Sequence, residues 1–264
     1  LKKYLLISGI SIGMIILTTW LTYFSGSQQI NSAIYASFNS IKAAKHPNNI
    51  TPQEKTEPLV FIYHTHNRES FVPELQITSP EEAQSIDINK NITSVGKHLS
   101  EKLEGLKIKA LVDRTDYGSE TNFSYADSYK LSRVTVVNAL KINPSLKMVF
   151  DIHRNSLPRE KTTISINGSN VAKVQFVVTR SNTKYQDNIK FTNTLHDKIQ
   201  TNYPGLPQVL IKDASPETSL SYNQDLLQNS LVIEIGGPEN SLEEEYRAVD
   251  ILAQTIAELA PNLH

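Results

Sequence analysis

Phe61-Ile62-Tyr63-His64-Thr65-His66-Asn67-Arg68-Glu69 is an apolar run that breaks into two histidines and then a carboxylate, three residues after the second histidine. The apolar half, read from residue 59 to 63, shows no polar alternation. That is the pattern of a strand covered on both faces of a parallel sheet. The polar half reads as a turn beyond the carboxyl end of the strand. Two later segments repeat the design. Val149-Phe150-Asp151-Ile152-His153 ends a strand in a histidine, and Leu231-Val232-Ile233-Glu234 ends one in a glutamate.

Working outward, Ile88, Ile92, Val95, Leu99 and Leu103 recur at helical spacing. The pattern then predicts a short strand at 108–112 and a helix over 124–142, stopped by Asn143-Pro144. A strand over 147–152 follows. Residues 162–166 and 171–179 read as the arms of a hairpin around Asn167-Gly168-Ser169-Asn170. A helix over 184–202 and strands over 208–211 and 230–235 come next. Ser241-Leu242-Glu243-Glu244 is a capping box for a last amphipathic helix reaching residue 259. Strands alternating with helices predict an α/β fold, a mostly parallel sheet flanked by helices. Ligands of such sheets sit beyond the carboxyl ends of the strands, and parallel strands bring all three motifs to one edge. The polar loops 70–87, 113–123 and 213–229 are expected to shape a groove there.

Of the 264 residues, roughly the first 55 read as an anchor and stalk. Residues 4–24 are uncharged and follow Lys2 and Lys3, with Trp20 and Tyr23 near the far end. At about 1.5 Å per residue the stretch spans a hydrocarbon core of roughly 30 Å. The lysines place the N-terminus in the cytoplasm and the rest outside. A cleaved signal peptide is the competing reading; the long apolar run argues against it. The expected organisation is therefore a transmembrane anchor at 1–25, a stalk at 26–56 and a catalytic domain at 57–264. A net charge of −1 and a pI near 6.7 argue against a nucleic-acid binder. The absence of cysteine excludes a thiol nucleophile, a cysteine zinc site and a disulfide.

A catalytic zinc site needs three protein ligands and one open position. His66 and Glu69 have His-x-x-Glu spacing, and His153 would be the third ligand, from a neighbouring strand. Glu234 would be the general base, passing a proton from water to the leaving nitrogen. Arg154 would stabilise the developing oxyanion or dock a substrate carboxylate. Asp151 or another acidic group would orient a ligating imidazole. Each element has a plainer reading. A strand-end histidine is usually only hydrogen-bonded, His-x-x-Glu is common, and Asp-x-His-Arg often forms a surface ion pair. Their joint placement at three strand ends favours the metal. Alternation points His64 and His66 to the same face of an extended strand, so which one ligates is open; Glu69 favours His66. No Gly-x-Ser-x-Gly elbow, Walker A loop or Gly-x-Gly-x-x-Gly is present.

Residues 62–70, Asp151-Ile152-His153-Arg154 and Glu234-Ile235-Gly236-Gly237-Pro238-Glu239-Asn240 resemble the stage II sporulation protein P family of endospore-forming bacteria. The resemblance implies a zinc-dependent cell-wall hydrolase, similar in fold to N-acetylmuramoyl-L-alanine amidases and, in its ligand pattern, to zinc carboxypeptidases. It implies peptidoglycan as substrate, Zn2+ held by His66, Glu69 and His153, and Glu234 as the catalytic carboxylate. It also implies work in septal thinning and engulfment beside a lytic transglycosylase and a polytopic membrane partner. Asn155 departs from the pattern, since an Asp usually follows the Arg, and the stalk is short. The expected activity is cleavage of the amide between N-acetylmuramic acid and the stem peptide. The alternatives are a carboxypeptidase or endopeptidase acting on the stem peptide and a non-catalytic wall-binding septal protein.

Overall fold

Strand order in the main sheet is β2-β1-β3-β8-β6-β7. The strands are β1 (Val60–Tyr63), β2 (Ala110–Val112), β3 (Met148–His153), β6 (Val174–Thr179), β7 (Pro207–Lys212) and β8 (Ser230–Ile235). A separate hairpin pairs β4 (Thr163–Ile166) with β5 (Ser169–Ala172). This computed structural model describes residues 57–120, 124–213 and 221–262. The predicted anchor and stalk lie outside the described residues. Within them, no helix is long and apolar enough to cross a membrane.

The strands β1, β2, β3 and β8 are mutually parallel. Their register sets Tyr63 beside Asp151 and His153 beside Glu234. The three motifs therefore do end at one edge, as expected. The chain leaves β1 toward β2 through α1 (Thr93–Gly105) and returns to β3 through α2 (Ser128–Ile142). Right-handed crossovers in opposite directions place these helices on opposite faces. The connections after β1 and β3 then diverge, which opens a crevice between the two strand ends.

One face is covered by α1, α3 (Tyr185–Asn202) and α4 (Leu242–Leu259), with Ile62, Leu99, Phe150, Phe176, Leu195 and Leu252 fully buried between layers. The other carries α2 and residues 221–229, packed on Phe61, Tyr63 and Val149 through Val136, Leu226 and Leu227. The capping box of α4 is present: Glu244 N donates to Ser241 Oγ, and Ser241 N donates back to Glu244 Oε2.

Two expectations are corrected. The strand predicted over 171–179 breaks at Lys173, leaving β5 in the hairpin and β6 in the main sheet. The hairpin turn is the two residues Asn167 and Gly168, with φ of 51° and 80°, the left-handed pair of a type I′ turn. Strand β6 also runs antiparallel to β8. No helical crossover returns the chain to the far edge between β3 and β6, so β6 starts where β3 ended and runs back.

His64, the open alternative in the sequence, leaves β1 toward α1. It is 1% exposed, and burial pushes its pKa down to about 4. The neutral ring faces the Asp113 carbonyl through Nδ1 at 3.0 Å, so Nδ1 carries the proton. A Cβ at Gly96 would stand 2.2 Å from His64 Nε2, so only glycine lets α1 pass over this ring. Gly96→Ala should therefore cost about 1–3 kcal/mol in chemical denaturation, through overpacking. His64→Ala in the same chain should recover part of that loss; two additive losses would argue against the contact.

Candidate metal centre and active site

Beyond β1 the backbone folds into a turn in which Glu69 N donates to the His66 carbonyl at 3.1 Å. This closes the His-x-x-Glu spacing so that both side chains face one space. The turn is tied to β3 by Asp151, whose two oxygens accept from Thr65 N at 2.8 Å and Thr65 Oγ1 at 2.6 Å. Asp151 Oδ1 also lies 2.9 Å from His153 Nε2, an ion-pair contact off the line of a hydrogen bond. It turns the opposite nitrogen, Nδ1, toward Glu69.

One ligand atom from each of His66, Glu69 and His153 lies within 4.8 Å of the other two. Glu69 stands between the imidazoles, Oε1 at 3.7 Å from His66 Nδ1 and Oε2 at 3.5 Å from His153 Nδ1. A tetrahedral zinc with bonds near 2.1 Å separates its ligands by about 3.4 Å. The donor set and its spacing therefore fit such an ion. His64 is not part of the group. The His66 ring is fixed by stacking on Tyr125 (centroids 4.1 Å apart) and by edge contacts with Tyr129 and His153.

The charges are mutually adjusted. Burial alone would raise Glu69, but His153 and His66 outweigh it and hold the carboxyl well below the usual range. Burial alone would lower His153; Asp151 and Glu69 reverse this and raise it well above an ordinary histidine. Glu234 behaves oppositely to Glu69. Burial raises its pKa, and the nearby His153 only partly offsets the shift. Its Oε2 accepts from Asn155 Nδ2 at 2.7 Å and Gln175 Nε2 at 2.9 Å.

Arg154 has a different setting from the one its position suggested. Its backbone N donates to Glu69 Oε2 at 2.9 Å. Its guanidinium reaches the carbonyls of Ser70, Asn155 and Ala83 at 2.8, 3.1 and 3.1 Å. Gln175 was missed by sequence reasoning, although it is the one strongly polar side chain inside the run Val174-Gln175-Phe176-Val177-Val178. The stacked Tyr125 left no signal at all. Of the three expected groove loops, 70–87 and 113–123 border His66 through Gln84 and Gly118. Of the third, residues 214–220 lie outside the described residues, and 221–229 pack on the second face, with Tyr222 edge-on to Tyr129.

The sequence model of the family described as stage II sporulation protein P (SpoIIP) matches residues 25–257. "Stage II sporulation protein P" of Bacillus subtilis (strain 168) is 38% identical over 224 residues, covering 83% of this chain and 55% of that protein. The chain thus spans little more than half the length of this relative. Among solved structures, the CwlD amidase from Clostridioides difficile in complex with the GerS lipoprotein overlaps with a TM-score of 0.47 at 14% identity, over 78% of this chain and 98% of that one. A metallo-carboxypeptidase from Pseudomonas aeruginosa overlaps with a TM-score of 0.47 at 13% identity, over 83% and 60%. These structural overlaps are partial. The sequence matches run along most of the chain, and they establish that it belongs to the stage II sporulation protein P family.

Proposed function

We propose that this chain is a zinc-dependent peptidoglycan hydrolase of sporulation that cuts the amide between N-acetylmuramic acid and the stem peptide. The observation that carries this reading is the His66-Glu69-His153 donor set beside the half-buried carboxylate of Glu234. Family membership supports the setting in sporulation. In the same reading, residues 4–24 anchor the chain and the catalytic domain lies outside the membrane, where the wall is.

A zinc ion held by His66, Glu69 and His153 would polarise the amide carbonyl and make the attacking water more acidic. The remaining work falls to the chain's own groups. Asp151 holds His153 so that Nδ1 faces inward. Glu234, with Oε2 held by Asn155 and Gln175, keeps Oε1 to accept the proton from water and deliver it to the leaving nitrogen. Its raised pKa brings it nearer to the groups it exchanges protons with. Arg154 positions the turn: it binds Glu69 through its backbone and the Ser70 carbonyl through its guanidinium.

His66→Ala, His153→Ala and Glu234→Gln should each lower hydrolysis of purified wall by at least about 10²-fold. Bound zinc, measured by atomic emission, should fall in the first two only. Free lactyl ends with intact stem peptides identify the amidase; new termini within the stem would replace this reading with the endopeptidase one. Full wall digestion by Glu234→Gln would show that Glu234 is not the catalytic carboxylate.

The pH profile gives a second check. The acid limb of kcat/KM should lie above the range of an ordinary glutamate, because burial disfavours the charged base. Gln175→Leu removes a donor to the carboxylate, so the limb should move to still higher pH. A limb that stays in place would show that Glu234 is not the titrating base.

A further inference from the structure

A pocket of about 410 Å³ opens beside His66, lined by Asn67, Arg68, Gln84, Gly118 and Tyr125. Its volume lies within the range of small-ligand sites. Arg68 donates from Nε and Nη2 to the two oxygens of Asp116, both at 2.8 Å, and Asn67 Nδ2 reaches the same carboxylate at 2.9 Å. Gly118 lies against the guanidinium: a Cβ there would meet Cζ and Nε at 2.7 Å. The guanidinium is thus held as a flat plate whose charge Asp116 balances, with its Nη1 edge turned to no partner among the described residues. Tyr125 is 56% exposed and stacks on the His66 ring at the pocket wall.

The opposite flank differs in charge. Glu234 is neighboured there by Asn155, Lys161, Lys173, Gln175 and Gln208. Neither lysine has an ion-pair partner among the described residues. The strand ends run in the order β1, β3, β8, so the pocket and Glu234 stand on opposite sides of His153.

These facts fix a direction for the substrate. Under the function proposed above, on which this step rests, the water oxygen bonds to the carbonyl carbon and the C–N bond breaks. The proton taken by Glu234 goes to the departing nitrogen, so the amine half lies on the β8 side. The acyl half must then extend over β1. We infer that the pocket beside His66 is the acyl subsite and takes the aminosugar ring that carries the lactyl acid, while the stem peptide leaves past Lys161 and Lys173. Electrostatics agree independently. The uncharged sugar meets a charge-balanced pocket whose planar amide and guanidinium groups suit paired hydroxyls and whose tyrosine offers an aromatic face. The carboxylates of the stem meet the unpaired lysines.

The test uses the zinc-loaded full chain and two substrates with the same scissile amide: a disaccharide-tetrapeptide, and a D-lactyl-tetrapeptide without the ring. Gln84→Ala alters an exposed pocket position whose side chain takes no part in the metal centre, and unchanged zinc content confirms an intact centre. It should lower kcat/KM on the disaccharide substrate by about tenfold, equivalent to about 1.4 kcal/mol, and leave the ring-free substrate within about twofold. Parallel losses on both substrates, or a larger loss on the ring-free one, would overturn the assignment. Peptide-free disaccharide, titrated by NMR, should shift signals of the wild-type pocket and not of Tyr125→Ala. Absence of those shifts would overturn the subsite even if hydrolysis occurs. Shifts without hydrolysis of either substrate would instead sink the proposed reaction and leave a sugar-binding pocket.

Discussion

Asp151 is fully buried at the end of β3, and a carboxylate removed from water is tolerated only when donors or cations surround it. Thr65 supplies two donors from the turn beyond β1, and His153 supplies the neighbouring imidazole. One side chain thus holds the segment that carries His66 and Glu69 and also sets the ring that completes the group. Its partners are 86 residues away in sequence on one side and two on the other. The centre therefore exists only once β1 and β3 have paired in the register that puts Tyr63 beside Asp151. Ser132 of α2 extends the tie, with its Oγ 2.9 Å from the Thr65 hydroxyl, so the helix on the second face braces the site from behind.

Much of this was legible in the chain. The apolar strands that end in the three motifs, the polar residues at their ends and the capping box are local signals, and the structure has these elements where the pattern put them. Periodicity reports element type but carries no strand direction, so the reversal of β6 was hidden. The break at Lys173 was hidden for a related reason: a hairpin arm and a sheet strand can share one apolar run. His64 and His66 have the same spacing logic in an extended strand. The chain turns after His64, and the free space at Gly96, 32 positions on, decides which ring goes where. Pairings such as Gln175 with Glu234 depend on register across the sheet, which no local window contains.

Two carboxylates within one crevice are driven in opposite directions by their surroundings. Glu69 stands between two imidazoles and stays charged. Glu234 is half-buried with two neutral amides donating to it, and burial pushes it up. In the proposed reaction, divergence of this kind suits Glu69 to hold a cation and Glu234 to move a proton. Asn155 contributes to the contrast. An aspartate there would set a second negative charge against Glu234, whereas the carboxamide offers an N–H and adds no charge. Asn155 thus meets Glu234 as a neutral donor.

The reversed strand β6 has a consequence for how such a protein can change over time. Gln175 sits directly across the ladder from Glu234, so this pair is written into sheet hydrogen bonding rather than into a loop. The pocket by His66 is assembled from connecting segments that bear Gln84, Gly118 and Tyr125. Insertions and substitutions are absorbed far more readily by connections than by a ladder. Descendants of this scaffold can therefore vary the lining of that pocket while inheriting the Gln175–Glu234 pair unchanged.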